Sequence, residues 1–207
     1  MFTGGCVMLP APSFIQEVHN LHPNMTPLAQ GETVVVLGEN LLSDEADVVR
    51  CVRKELQGEQ PQLQIVSTRE FRDAQLTPWA SPEATKHTVE ELTRVFTQPR
   101  LKAKIEQLRL RYLIEVTGGT VEGGIKGPWF VIAGVGWAKR ESTLSVRLWD
   151  LKRLSDEGTA GVTVGGHIGV LTWVFLSAFF MPATETPACN KVGEQLRAFL
   201  IGRPFAH

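Results

Sequence analysis

Cysteine occurs only three times in the 207-residue chain, at Cys6, Cys51 and Cys189. That is too few for a disulfide framework, and no CxxC or Cys-His spacing supports a zinc or redox motif. Charge of one sign is also missing: 21 Lys and Arg stand against 22 Asp and Glu, so no net field draws the chain to nucleic acid. No apolar run reaches the roughly 20 residues of a membrane-spanning helix. The longest, "IGVLTWVFLSAFFM" at 168–181, reads as a buried strand or hairpin. Motifs of catalysis are absent too. There is no G-x-S-x-G, no H-E-x-x-H and no phosphate loop, because the glycines of "TGGTVEGGIKG" lie in the wrong frame with no helix behind them. That stretch and "GVGWAK" are expected as turns between strands.

What is present suits one globular domain of 43% hydrophobic residues. Residues 1–31, rich in proline from position 7 onward, read as an arm, and 32–207 as one folded unit. The β-branched run from Thr33 to Val36, closed by Gly38, predicts a buried strand. "SDEADVVRCVRKELQ" predicts a helix, with acids at its start, bases at its end, and Ala46, Val49, Val52 and Leu56 along one side. Leu63 and Ile65 mark a second strand, expected to run parallel to the first. Thr88 and Glu91 form a capping box, and Pro99 divides the helical stretch before "RYLIEV" turns extended.

Beyond that point strands are expected over "GPWFVIAGVGWA", "STLSVRLWDLK" and "GTAGVTVGG", broken by "KRE" and "RLSDE". Leu144, Val146 and Leu148 alternate with Ser145, Arg147 and Trp149, so their sides differ. Trp137 and Trp149 are expected on paired strands. Both are candidates for an interface, Trp149 if it faces outward. Asp150 and Asp156 are assigned to turns and His167 to a strand end. The "HNLH" pair His19 and His22 lacks companions that would complete a metal site. A last helix has Thr186 as N-cap, Pro187 at its first position and Cys189, Val192, Leu196 and Phe199 on one side. The fold class is α/β, a mixed sheet of about five strands with helices packed on it.

The order of "TVVVLG", "LQIVSTREF", "LRYLIEVTGGTVEGG" and "LSVRLWDLKRLSDEG" resembles the α/β domain of bacterial envelope lipoproteins, such as the N-terminal domain of TolB, CsgG and LpoB. The resemblance spans about residues 32–166 and implies a fold and a compartment. It implies a non-catalytic protein of the periplasm, anchored to the outer membrane, that binds a protein partner and uses no cofactor or metal. Self-association is left open. So are two rival readings, a secretion- or pore-associated subunit with 168–181 at the membrane, and an uncharacterised periplasmic enzyme. In this fold both Cys51 and Cys189 sit on helices packed on one sheet. An oxidising compartment would allow a disulfide between them, and two buried free thiols are the alternative. Cys6, behind Thr3, Gly4 and Gly5, is the candidate lipidation site, with its leader peptide expected upstream of Met1.

Overall fold

A computed structural model describes residues 13–22, 25–38, 47–58, 63–67, 70–71, 89–124, 126–127, 133–173, 176–180 and 184–202. Its strands are β1 (Phe14–Leu21), β2 (Thr33–Gly38), β3 (Gln64–Val66), β4 (Leu110–Glu122), β5 (Ala133–Asp150), β6 (Ser155–Trp173) and β7 (Leu176–Phe180). Its helices are α1 (Asp47–Gln57), α2 (Val89–Phe96), α3 (Pro99–Gln107) and α4 (Glu185–Leu200). The α/β class is therefore established, with a larger sheet than the five strands expected. The strands join in the order β1-β6-β5-β4-β2-β3, with β7 also paired to β6.

The parallel part, β3-β2-β4, is built as the β-branched run predicts. Val34 to Leu37 are wholly buried because helices cover both sides of β2, where alternation is not needed. Even-numbered Val34 and Val36 join Tyr112, Ile114, Leu144, Val146 and Leu148 in a core closed by α1 and α4. Odd-numbered Val35 and Leu37 join Leu113, Val95, Phe96, Leu101 and Ile105 in a second core closed by α2 and α3. Val49, Val52 and Leu56 of α1 bury as their spacing requires. Pro99 opens α3, where its missing N–H costs nothing. Ala46 and the capping box at Thr88 lie outside the described residues.

The antiparallel half departs most from expectation. "KRE" does not end a strand: Lys139, Arg140 and Glu141 continue β5, an 18-residue strand that pairs with the 19 residues of β6. Ion pairs explain the continuity, Lys139 with Glu141 at 2.5 Å and Arg140 with Glu122 and Glu185, each at 3.0 Å. Trp137 and Trp149 consequently share one strand. The turn expected at "RLSDE" falls earlier, over 151–154, so only Arg153 and Leu154 of that stretch lie in it and Ser155, Asp156 and Glu157 already belong to β6. Gly118 and Gly119 lie within β4, "GVGWAK" lies within β5, and His167 sits mid-strand in β6. The 168–181 run contributes a hairpin, with Gly169–Trp173 paired to Leu176–Phe180.

The arm also contributes structure, because β1 pairs along its whole length with β6. The chain then passes beneath the end of α4, where Leu28 N–H donates to the Leu200 carbonyl. Helix α4 begins at Glu185, with Thr184 at the cap position, two residues before the predicted Thr186. The Thr184 hydroxyl meets Ser142 at 2.7 Å instead of capping the helix. Gly202, at φ +71°, closes α4 in the left-handed region that glycine tolerates.

Candidate functional site

Side-chain alternation gives the sheet two unlike sides. Helices α1 and α4 cover the even-numbered side of β4 and β5, and α4 reaches across to β6. On the odd-numbered side, α2 and α3 cover β2, β3, the start of β4 and the end of β5 at Trp149. Among the described residues nothing covers the remainder, which spans β1, β6 and the first part of β5. Register places Thr117, Gly119 and Val121 of β4 beside Ser145, Thr143 and Glu141 of β5. It continues through Gly161, Thr163 and Gly165 of β6 to Val18, Gln16 and Phe14 of β1. The result is a platform of mostly small residues, crossed by Gln16 and the Lys139–Glu141 ion pair, with Phe14, Val18, Val121, Val135 and Trp137 exposed around it.

Trp137 is 49% exposed, as a candidate interface residue should be. Trp149 is 1% exposed, so the condition that it face outward is not met. Alternation puts its ring on the odd-numbered side opposite Leu113, where the cover of α2 and α3 takes it into the second core. Its indole N–H donates to Glu115 at 2.9 Å, and the Arg147 guanidinium lies 4.2 Å from its ring centre, held there by Asp156 at 2.6 Å. Phe14 lies across Gly165, where an added Cβ would come within 2.0 Å of the ring. Lys139 sits 5.4 Å from the centre of the same ring. Phe14 and Val18 escape sequence reasoning because β1 is exposed on both sides and shows no alternation.

The disulfide forms: Cys51 of α1 and Cys189 of α4 are bridged, with Cα atoms 6.2 Å apart. Close helix approach is needed for this, and Gly193 permits it, since an added Cβ would lie 2.4 Å from Glu55 Cβ. Beside the bridge is a cleft of about 390 Å³ lined by Thr120, Ser142, Thr143, Leu144, Glu185 and Thr186 among others. Its hydroxyls are tied together: Thr120 meets Ser142 at 2.8 Å and donates to Glu185 at 2.8 Å, where Arg140 also donates at 3.0 Å. These groups hold the start of α4 on the sheet.

A second charged group lies at the opposite end of β5. Asp150, fully buried, pairs with Arg111 at 2.6 Å, and Arg111 reaches Glu32 at 3.8 Å. Lys152 meets the same Glu32 carboxylate at 2.5 Å. Tyr112 donates to the Thr26 carbonyl; burial and the nearby Asp150 carboxylate raise its phenol above the usual range against the opposing Arg111 charge. Burial alone would raise Glu32. The hydrogen bonds from Lys152 and the Ala29 N–H, with the charges of Lys152 and Arg111, outweigh it and leave the carboxyl below its ordinary value. A lowered carboxyl stabilises the fold above the ordinary carboxylate range, and that gain is lost as pH falls through the lowered value. Glu32→Gln is therefore expected to cost about 1 kcal/mol at neutral pH. Its urea midpoint is expected to approach that of the parent as the pH drops below the carboxylate range.

Asp150 and Asp156 frame the hairpin turn as predicted, Asp150 accepting the N–H groups of Lys152 and Arg153. His19 joins Glu17 and Gln195 at the β1 edge. Among the described residues no group of three or more His, Cys, Asp or Glu is placed to hold a metal, and no helix is long and apolar enough to cross a membrane. Cys6 lies outside the described residues.

No protein-family model matches the chain, and no curated protein matches it. Solved structures similar to it include a PelC dodecamer from Paraburkholderia phytofirmans, at 12% identity and a TM-score of 0.34, covering 86% of this chain and 95% of that one. A variant PelC dodecamer from the same organism gives 9% and 0.36, with coverages of 89% and 96%. A crystal structure of a putative neuraminyllactose-binding hemagglutinin homolog from Helicobacter pylori gives 12% and 0.28, with coverages of 87% and 91%. Likenesses at these TM-scores carry nothing about the activity or partners of this chain.

Proposed function

We propose that the chain is a non-catalytic binding module of the bacterial cell envelope that engages a protein partner through the open side of its sheet. The observation that carries this reading is the platform of Gly, Ser and Thr with exposed Phe14, Val18, Val121, Val135 and Trp137 around it. Single exposed apolar residues are ordinary, but several on one sheet side that no other described residue covers mark an interaction surface. The partner that fits is a polypeptide with an apolar stripe, since the small residues let another backbone approach closely. Trp137 is the anchor, a large aromatic with half its surface still to bury.

The Cys51–Cys189 bridge supports an oxidising compartment. Cys6 precedes β1, so an acyl group on its sulfur would hold the module within roughly 30 Å of the sheet edge at Phe14. Such a tether raises the local concentration of the open surface near an envelope partner.

Two experiments test the reading. Palmitate labelling in a bacterial host is expected to be lost in Cys6→Ala, and labelling that survives the change removes the anchor. A photo-crosslinking residue at position 137 is expected to give one discrete protein adduct in the cell envelope, whereas one at the exposed Lys102 of α3 gives none. Equal adducts from both positions would contradict a specific surface.

A further inference from the structure

No described residue covers the outer edge of β1. Among the described residues β1 pairs only with β6, and it does so over eight residues with no register shift. Natural sheets guard such an edge with lysine, proline, a bulge or a covering segment. β1, "FIQEVHNL", carries neither lysine nor proline, and Phe14, Ile15 and Val18 are exposed on it.

The direction of its backbone groups follows from the ladder. His22 N–H donates to the Glu157 carbonyl at 2.9 Å, continuing the register that sets Leu21 opposite Gly158. Hydrogen-bonded pairs alternate in an antiparallel ladder. Even-numbered residues of β1 therefore face β6, and Ile15, Glu17, His19 and Leu21 turn their N–H and C=O groups outward.

We propose that this edge is a dimer interface, in which β1 pairs antiparallel with β1 of a second copy about a two-fold axis at Val18. That register matches outward groups with outward groups and is self-complementary. Glu17 faces the partner's His19, Ile15 faces the partner's Leu21, and Gln16 faces the partner's Asn20. Sliding the centre by one residue in either direction would set Glu17 against the partner's Glu17, or His19 against the partner's His19. Like charges directly opposite are unfavourable, which excludes the Glu17 slide, and either slide loses both Glu17–His19 pairs, so the Val18 register is selected. Glu17 and His19 already meet at 3.5 Å within one strand, and Gln195 of α4 holds Glu17 at 2.6 Å, which fixes both side chains before pairing. Dimerisation joins the two sheets into one and is independent of what covers the open side.

Sedimentation of the disulfide-bonded 207-residue chain is expected to show a dimer. Val18 pairs with itself at a non-hydrogen-bonded position, where Cα atoms lie about 4.5 Å apart, within disulfide reach. Val18→Cys is therefore expected to crosslink two chains on mild oxidation, with the unsubstituted chain reporting any contribution of Cys6. Gln16→Cys alone is expected not to do so, and to crosslink only when mixed with Asn20→Cys. His19→Glu is expected to weaken the dimer about tenfold or more, and adding Glu17→His to restore it. A monomer throughout would overturn the interface, as it would if residues 1–12 of the same chain occupied the edge. A dimer in which Val18→Cys fails to crosslink, or which ignores His19→Glu, would also overturn it.

Discussion

Replacing both Cys51 and Cys189 by serine is expected to lower the unfolding free energy by about 2–5 kcal/mol. The bridge closes a loop spanning 138 residues, among the longest closures this chain could make, and loop entropy lost from the unfolded ensemble grows with that length. The helices it joins keep other ties. Arg197 of α4 donates to the Leu56 carbonyl at the end of α1 at 2.7 Å, and Gly193 leaves room for Glu55 to pack against α4. The folded structure should therefore survive, with the loss appearing as a lower urea midpoint and a steeper denaturant dependence as the unfolded chain expands. Intact-mass measurement before and after reduction should show the gain of two hydrogens. A midpoint shift worth less than about 0.5 kcal/mol, or no mass change, would contradict the role assigned to the bridge.

Asp150→Ala is expected to be as damaging, at about 3–5 kcal/mol. Its carboxylate is fully buried, holds Arg111 at 2.6 Å with one oxygen, and accepts the N–H groups of Lys152 and Arg153 with the other. Alanine leaves a buried guanidinium without its principal counter-charge and frees two turn donors. The penalty is mostly that of the stranded charge, so Arg111→Met combined with Asp150→Leu should recover much of it. Asp150→Asn should fall between, because an amide oxygen can still accept the turn hydrogen bonds. Urea unfolding followed by tryptophan fluorescence separates these variants. If Asp150→Ala costs less than about 1 kcal/mol, the pair behaves as a solvent-screened one and the account of this corner is wrong.

Local signals carried the parts of the fold where burial is one-sided or complete. The run Thr33–Val36, the stripe Val49, Val52 and Leu56, the break at Pro99, and the alternation of Leu144, Val146 and Leu148 all have their physical cause within a few residues. The pairing of Cys51 with Cys189 rested on the fold that the resemblance implied. Strand continuity through Lys139–Glu141 was hidden, because three charged residues read as a break unless their partners are known. Those partners, Glu122 and Glu185, come from β4 and α4. β1 was hidden for the opposite reason, since an edge strand exposed on both sides has no period. Whether the side that Trp149 takes by alternation is covered depends on where α2 and α3 end on the sheet, which no local pattern contains. The platform combines all three problems, which is why only Trp137 among its exposed residues was foreseen.

Oxidative footprinting of Trp137 puts the central claim to its most direct test. The purified, disulfide-bonded chain and the same chain in intact cell envelopes would be exposed to equal hydroxyl-radical doses, with oxidation at Trp137 compared against the unreactive, buried Trp149. If a protein partner covers the open side of the sheet, Trp137 is protected several-fold in the envelope and becomes reactive again once the chain is extracted. Equal oxidation of Trp137 in both settings would mean that the surface stays bare, and that this module does not act through it.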